Sequence, residues 1–252
     1  MVLFETLKER WIIRGKIKIL TPIHIGRGRG EKDLGEADLP ILKLPDGTPY
    51  IPGSSLKGVV RSQFDRIMTG LGIRVCIYQR SKSPISPDYD CEPDKLCVSC
   101  AMFGSTAVSS RVIFRDSYPL ERTETLIRPG VALARDTKTV AKGPFEIEFV
   151  PPGTEFSLEI VIENPEEWMI GALIIALENI IGLGGSISRG LGKVKIQISS
   201  IEIWTPESMI RGEPFKKFTN QNLIIQIEKM KKIFSDSIEK LKNKYGELKK
   251  VE

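Results

Sequence analysis

Four cysteines fall within 25 residues, as Cys76 followed by Cys91-x5-Cys97-x2-Cys100. Thiolates at this spacing can close a tetrahedral Zn²⁺ site, the CxxC pair supplying half and the other two the remainder. The irregular, proline-rich sequence around them would need such a clip to be ordered. Disulfides are the alternative, more natural in a hyperthermophile, and free thiols are the third reading. In each case the role is structural, because no open coordination position is implied.

Two glycine-bearing segments have the chemistry of phosphate contacts. Ile51-Pro52-Gly53-Ser54-Ser55-Leu56-Lys57-Gly58 opens a helix whose first free N–H groups can bind an anion. Lys57 stands in its first turn and Arg61 one turn on, on the same face. An N-cap followed by a solvated basic face is the plainer reading. In the run Gly182 to Gly192, Gly182, Gly184, Gly185, Gly190 and Gly192 permit close approach of a ligand backbone. Ser186, Ser188 and Arg189 add hydrogen-bond donors. Dinucleotide and P-loop sites place their glycines after a strand and before a helix; here the order is reversed, and neither GxGxxG nor GxxxxGK[ST] is present. A structural helix-to-strand connection remains open, although so much glycine is unusual for it.

Asp33, Glu36 and Asp38 lie in a loop rich in glycine and charge after His24. His24 is the only histidine, so a metal-independent ribonuclease built on an acid–base histidine pair has no second member. It reads as a structural histidine at a strand's end.

The elements that must carry these residues follow from periodicity. Ile13 to Leu20 alternates as a half-buried strand, and Pro40 to Leu44 and Tyr50-Ile51 give short extended pieces. Leu56, Val59, Val60, Phe64 and Ile67 predict a helix ending near Gly70. Residues 76 to 105 form an insertion with little periodicity. A strand runs from Arg111, a mobile, polar and basic excursion spans 122 to 145, and Phe145 to Val150 is extended. Pro151-Pro152-Gly153-Thr154 predicts the turn of a hairpin whose second arm is Phe156 to Glu163. An apolar helix from about 166 to 181 leads through the glycine loop into a strand over 193 to 204. Apolar residues at helical spacing from Leu223 to Leu241, with dense Lys and Glu between them, make the tail a helix that packs or meets a partner. Without sustained β-α-β-α alternation the order predicts an α+β protein, built from two β-α-β-β halves of ferredoxin-like type.

Bulk properties narrow the class. At 252 residues, with 41% hydrophobic and 27% charged residues, the chain is neither disordered nor fibrous. The apolar run from Trp168 to Ile181 is interrupted by Gly171, Glu178 and Asn179 and falls short of the roughly 20 residues of a membrane span. The N-terminus lacks the pattern of a signal peptide, so a cytoplasmic location is expected. Net charge is +5, and residues 1 to 80 hold 14 basic against 8 acidic residues. A basic excess concentrated in one third fits a polyanion-binding face.

The order HIG, IPGSSLKGVVRS, CAMFGS, VPPGTEFSLEI and GLGGSISRGLGKV resembles the RAMP proteins of CRISPR systems, in particular the repeating backbone subunit of type III (Csm/Cmr) effectors. The likeness runs from about residue 13 to 205. It implies a RAMP domain over 1–205 with a modified RRM-like, ferredoxin-type core and the cysteine insertion at 76–105. It further implies a thumb hairpin at about 122–145 that kinks guide and target, with 206–252 as a helical extension. The implied partners are CRISPR RNA, target RNA, other effector subunits and copies of the chain itself, with no membrane. Binding would be sequence-tolerant, through Ser54, Ser55, Lys57, Arg61, Gly184, Gly185, Ser186, Ser188 and Arg189. In similar backbone subunits an aspartate in a G-x-x-D segment cleaves target RNA with a divalent metal. Gly35-Glu36-Ala37-Asp38 matches and points to Asp38; Gly30-Glu31-Lys32-Asp33 makes Asp33 its rival. Mg²⁺ would suit such a site, taking few carboxylates plus phosphate oxygens. A guide-processing endoribonuclease with His24 as base, and a subunit that only binds, are the competing readings.

Overall fold

A computed structural model describes residues 6–27, 37–76, 91, 95–106, 108–134, 136–137 and 139–246. The central sheet has five antiparallel strands in the order β2-β5-β1-β6-β7. These are β1 (Arg10–Ile19), β2 (Val112–Phe114), β5 (Glu155–Glu163), β6 (Val194–Trp204) and β7 (Lys216–Thr219). Helix α1 (Gly53–Gly70) links β1 to β2, and α3 (Glu167–Glu178) links β5 to β6. The chain order β1-α1-β2-β5-α3-β6 with this strand order is one ferredoxin-like β-α-β-β-α-β unit. The two halves therefore share a single sheet. β7 extends it beyond β6, a strand too short for its alternation to stand out in the sequence.

Alternation places Ile13, Ile17 and Ile19 of β1 and Phe156, Leu158, Ile160 and Ile162 of β5 on the helix-bearing face, all buried. Leu56, Val60, Phe64 and Met68 of α1 close over them at helical spacing. Helix α3 is buried on nearly every side, from Trp168 to Leu177. Its outer face is covered by α5 (Asn220–Tyr245), which inserts Leu223, Met230, Phe234, Leu241 and Tyr245. The two helices meet so closely at Gly171 that a Cβ there would lie 2.1 Å from the Met230 carbonyl oxygen. The tail helix is thus part of the core. No helix among the described residues is long and apolar enough to cross a membrane.

Two expectations change. Phe145 to Val150 and Phe156 to Glu163 do not form a hairpin with each other. Instead β4 (Val140–Phe149) pairs with β3 (Leu126–Leu133) as a separate two-stranded ribbon, while β5 enters the main sheet beside β1 and β2. The turn at Pro151–Thr154 hands the chain from ribbon to sheet. The polar excursion is accordingly an ordered hairpin, with Leu126, Ile127 and Val131 exposed on it. Within the cysteine insertion, α2 (Val98–Phe103) is a six-residue helix buried along its whole length; residues 77–90 and 92–94 lie outside the described residues. A short helix α4 (Pro206–Arg211), capped by Thr205, precedes β7.

Candidate functional site

β1 ends at Ile19, beside Val194 at the start of β6, and α1 must run back from this end of the sheet to reach β2. Two of the motif segments are tied together just beyond it. Gly192 N–H donates to the Pro22 carbonyl and Gly185 N–H to the His24 carbonyl, both at 2.9 Å. Gly184 has φ +80°, and a Cβ there would lie 2.4 Å from the His24 carbonyl oxygen; glycine is the residue that allows this contact. Ser186, Ser188 and Arg189 project from the exposed 3₁₀ turn Ile187–Arg189 on top of it.

His24 joins this loop to the ribbon. Its Nδ1 lies 2.8 Å from the Glu148 carbonyl oxygen; since a carbonyl only accepts, Nδ1 carries the proton. The ring also meets Phe149 edge-on at 5.9 Å. Half-buried and bonded to backbone, His24 is a structural connector.

Asp38 stands beside β4 on the same edge as His24, through bonds to Glu146 and Glu148. Its carboxylate is exposed, and Oδ2 accepts the Glu146 amide at 2.8 Å. Leu39 bridges Ile147 in parallel register, so the Asp38 segment runs alongside the base of the hairpin. Glu148 secures it: Oε2 accepts the Ile41 amide at 3.1 Å, Oε1 accepts the Thr125 hydroxyl at 2.5 Å, and Lys43 forms an ion pair with it. Burial pushes the Glu148 carboxyl up, but these three partners outweigh it and hold it below its usual value. Among the described residues Asp38 belongs to no group of three or more metal-ligating side chains. Asp33 and Glu36 lie outside the described residues.

At the start of α1 the N-cap is Pro52, which makes no side-chain cap hydrogen bond. Gly53 N–H donates instead to the Asp116 carboxylate at 2.8 Å, and Ser54 and Ser55 follow it in the first turn. Lys57 is half-buried, and burial and the neighbouring Arg61 charge both lower its ammonium pKa. Arg61 is placed differently from Lys57. Its guanidinium turns to α2, donating to Ser99 Oγ at 3.2 Å, the Gly104 carbonyl at 3.0 Å and Cys100 Sγ at 3.5 Å.

The four cysteines converge. Their sulfurs all lie within 4.8 Å of one another, with Cys76–Cys100 at 3.2 Å and Cys76–Cys97 at 3.4 Å. A tetrahedron with metal–sulfur bonds of about 2.3 Å has edges of about 3.8 Å, so the set fits a metal ion. All four thiols are free. Cys97 caps α2, accepting the Cys100 amide at 3.4 Å, and its own amide donates to Cys91 at 3.3 Å. Hydrogen bonds from Cys100 and Cys76 hold the Cys97 thiol well below its ordinary value against the effect of burial.

Two other surfaces compare poorly as RNA platforms. A groove of about 670 Å³ at the hairpin base is lined by Glu121, Glu124 and Glu155 against a single arginine, Arg122. On the open face of the sheet, Arg10 pairs with Glu163 at 2.5 Å, Arg14 with Glu202 at 2.7 Å and Glu159 at 3.0 Å, and Lys16 with Glu155 at 2.8 Å. Those cations are already neutralised.

Known proteins agree with this architecture. Two relatives carry the description CRISPR system Cms endoribonuclease Csm3. The one from Methanothermobacter thermautotrophicus is 30% identical over 243 residues, covering 82% of this chain and 91% of its own. That from Methanocaldococcus jannaschii is 28% identical over 260 residues, covering 98% and 96%. A chain of the type III-B Cmr-beta complex bound to cognate target RNA superposes with a TM-score of 0.55 at 21% identity, over 78% of this chain. This chain spans 61% of that one, and the likeness is one of fold. The family model for the RAMP superfamily matches residues 16–195, from within β1 to the start of β6, so it takes in both crossover helices and the glycine loop of the ferredoxin-like unit, and the chain belongs to the RAMP superfamily.

Proposed function

We propose that this chain is a guide-RNA-binding backbone subunit of a type III CRISPR effector and that it cuts paired target RNA at Asp38. The observation that carries the reading is the convergence at the hairpin base. An exposed carboxylate is fixed there by the Glu146 amide, next to the strand that anchors His24 and, through it, the glycine loop. The names of the Csm3 relatives support the cutting activity.

The residues divide the work. Ser54 and Ser55 offer amides and hydroxyls to a phosphate, and half-buried Lys57 supplies a cation whose charge gains most when an anion meets it. Gly184 and Gly185 let an RNA backbone approach, with Ser186, Ser188 and Arg189 as donors. Arg61, bonded to α2, contributes by holding the cysteine insertion against α1. Residues 1–205 act as the RAMP domain, β3 and β4 as the thumb hairpin, and residues from 206 as an extension that completes the core. Copies of the chain stack along the guide beside other effector subunits.

Asp38, an exposed residue with a hard-oxygen donor, suits Mg²⁺ shared with phosphate oxygens. Bound there, the ion would neutralise charge on the scissile phosphate. Asp38 would hold the ion beside β4, and the RNA's own 2′-hydroxyl attacks the adjacent phosphate, closing a 2′,3′-cyclic phosphate as the bond to the 5′-oxygen breaks; the hydroxyl proton passes to water and the leaving 5′-oxygen takes one up from water. The Cys76, Cys91, Cys97 and Cys100 set is assigned to structural Zn²⁺.

The test uses the assembled complex with matched target RNA. Asp38→Ala and EDTA should each suppress cleavage by on the order of 10³-fold, equivalent to several kcal/mol of transition-state stabilisation. Guide and target binding should survive. Cleavage unchanged in Asp38→Ala would remove the catalytic assignment and leave a subunit that binds.

A further inference from the structure

We propose that Glu148 is a positioning residue for target cleavage, its buried carboxylate clamping the Asp38 segment to the base of the β3–β4 hairpin. The inference rests on Asp38 as the cutting residue. Glu148 is 4% exposed, and a carboxylate in that position is tolerated only with its partners in place. Those partners come from two separate stretches of chain. Ile41 and Lys43 belong to the segment that follows Asp38, and Thr125 to the approach of the hairpin.

The backbone of Glu148 adds two more links. Its amide donates to the Leu39 carbonyl at 3.1 Å and its carbonyl accepts from His24. Two residues earlier on β4, the Glu146 amide holds Asp38 itself. Among the described residues, the backbone pairing of the Asp38 segment with β4 is one isolated bridge, Leu39 to Ile147, of which the Glu148–Leu39 bond is one half. A single bridge specifies register weakly, and a slip of one residue would turn Asp38 to the other face. The carboxylate, reaching Ile41 and Lys43 at alternate positions, removes that freedom. It thereby makes the Asp38 segment, the hairpin base and the His24 connector move as one body.

Glu148→Gln keeps the shape but must set an amide NH₂ against a donor and leaves Lys43 without its counter-ion. In single-turnover assays on the assembled complex, target cleavage should fall by about 10- to 100-fold, the scale of a displacement near 1 Å. Target affinity should stay within about two-fold, because no RNA-contacting group is lost. Hydrogen exchange supplies the second readout: amides of residues 38–43 should exchange faster in Glu148→Gln while those of β1 and β6 do not change. Thr125→Val, which removes one bond without burying a lone charge, should give a smaller effect in the same direction and serves if Glu148→Gln does not assemble. Asp38→Ala runs alongside. If Asp38→Ala abolishes cleavage but neither variant alters cleavage or exchange, the positioning role is wrong. If cleavage falls while exchange at 38–43 is unchanged, it is wrong as well. Full cleavage in Asp38→Ala overturns the catalytic reading instead, and exchange then still decides whether Glu148 fixes the segment.

Discussion

At Gly184 a single methyl group is enough to separate two motif segments. The left-handed backbone there costs an L-residue about 1–2 kcal/mol, and the new Cβ would in addition collide with the His24 carbonyl oxygen at 2.4 Å. Gly184→Ala should therefore lower thermal stability by at least that much and weaken RNA binding. Gly185→Ala, whose Cβ would sit 3.7 Å from the nearest atom with no left-handed strain, should unfold close to wild type. Equal melting temperatures for the two variants would show that the loop is not held as described. The density of glycine was legible in the sequence as a loop for close approach; which glycine is indispensable was not, because that depends on a carbonyl some 160 positions away. Lys57 and Arg61 teach the same lesson. Four residues apart on one helix they look alike, yet Arg61 sits where α2 presents Ser99, Gly104 and Cys100 to its planar donor array.

At the scale of elements, the small helix α2 depends on what its cysteines do. Six residues cannot sustain a helix alone, so Cys97 as cap and the sulfur cluster around it must fix the segment. Removing the metal with a chelator, or replacing Cys97 by serine, should release one zinc ion per chain, free Arg61 from its α2 partners and lower the melting temperature. Zinc content measured by emission spectroscopy together with thiol titration checks this; a metal-free preparation of undiminished stability would defeat it. The convergence of the four cysteines was readable from spacing alone because all four lie within one 25-residue stretch. Pairing between strands leaves no such local imprint. Phe145 to Val150 and Phe156 to Glu163 flank a good turn, and the hairpin inferred from them failed because β5 finds a longer partner in β1. Burial of α3 was more accessible. A helix apolar all round from Trp168 to Leu177 must be covered on both sides, and the amphipathic tail, α5, is what covers it.

For the whole molecule, the decisive quantity is where the positive charge faces. Residues 1 to 80 hold 14 basic residues, but Arg10, Arg14, Lys16 and Lys18 pair with Glu163, Glu159, Glu202 and Glu155 across the open sheet. The sequence places these acids more than 130 residues away, so the excess looked larger than it acts. Polyanion binding must then draw on cations outside the ladder, such as Lys57 near the start of α1 and Arg189 on the glycine loop. Each phosphate contact releases counterions, and for single strands log K falls with log salt by about 0.7 per contact. Lys57→Ala and Arg189→Ala should each reduce that slope for the full chain on labelled single-stranded RNA by about one contact's worth, nearly regardless of sequence. Lys16→Ala should leave the slope unaltered, since Lys16 is paired with Glu155, which keeps Lys18 as a partner. A slope that drops for Lys16→Ala as much as for Lys57→Ala would move the RNA onto the sheet's open face, where the Glu155, Glu159 and Glu202 carboxylates would have to be displaced to admit it.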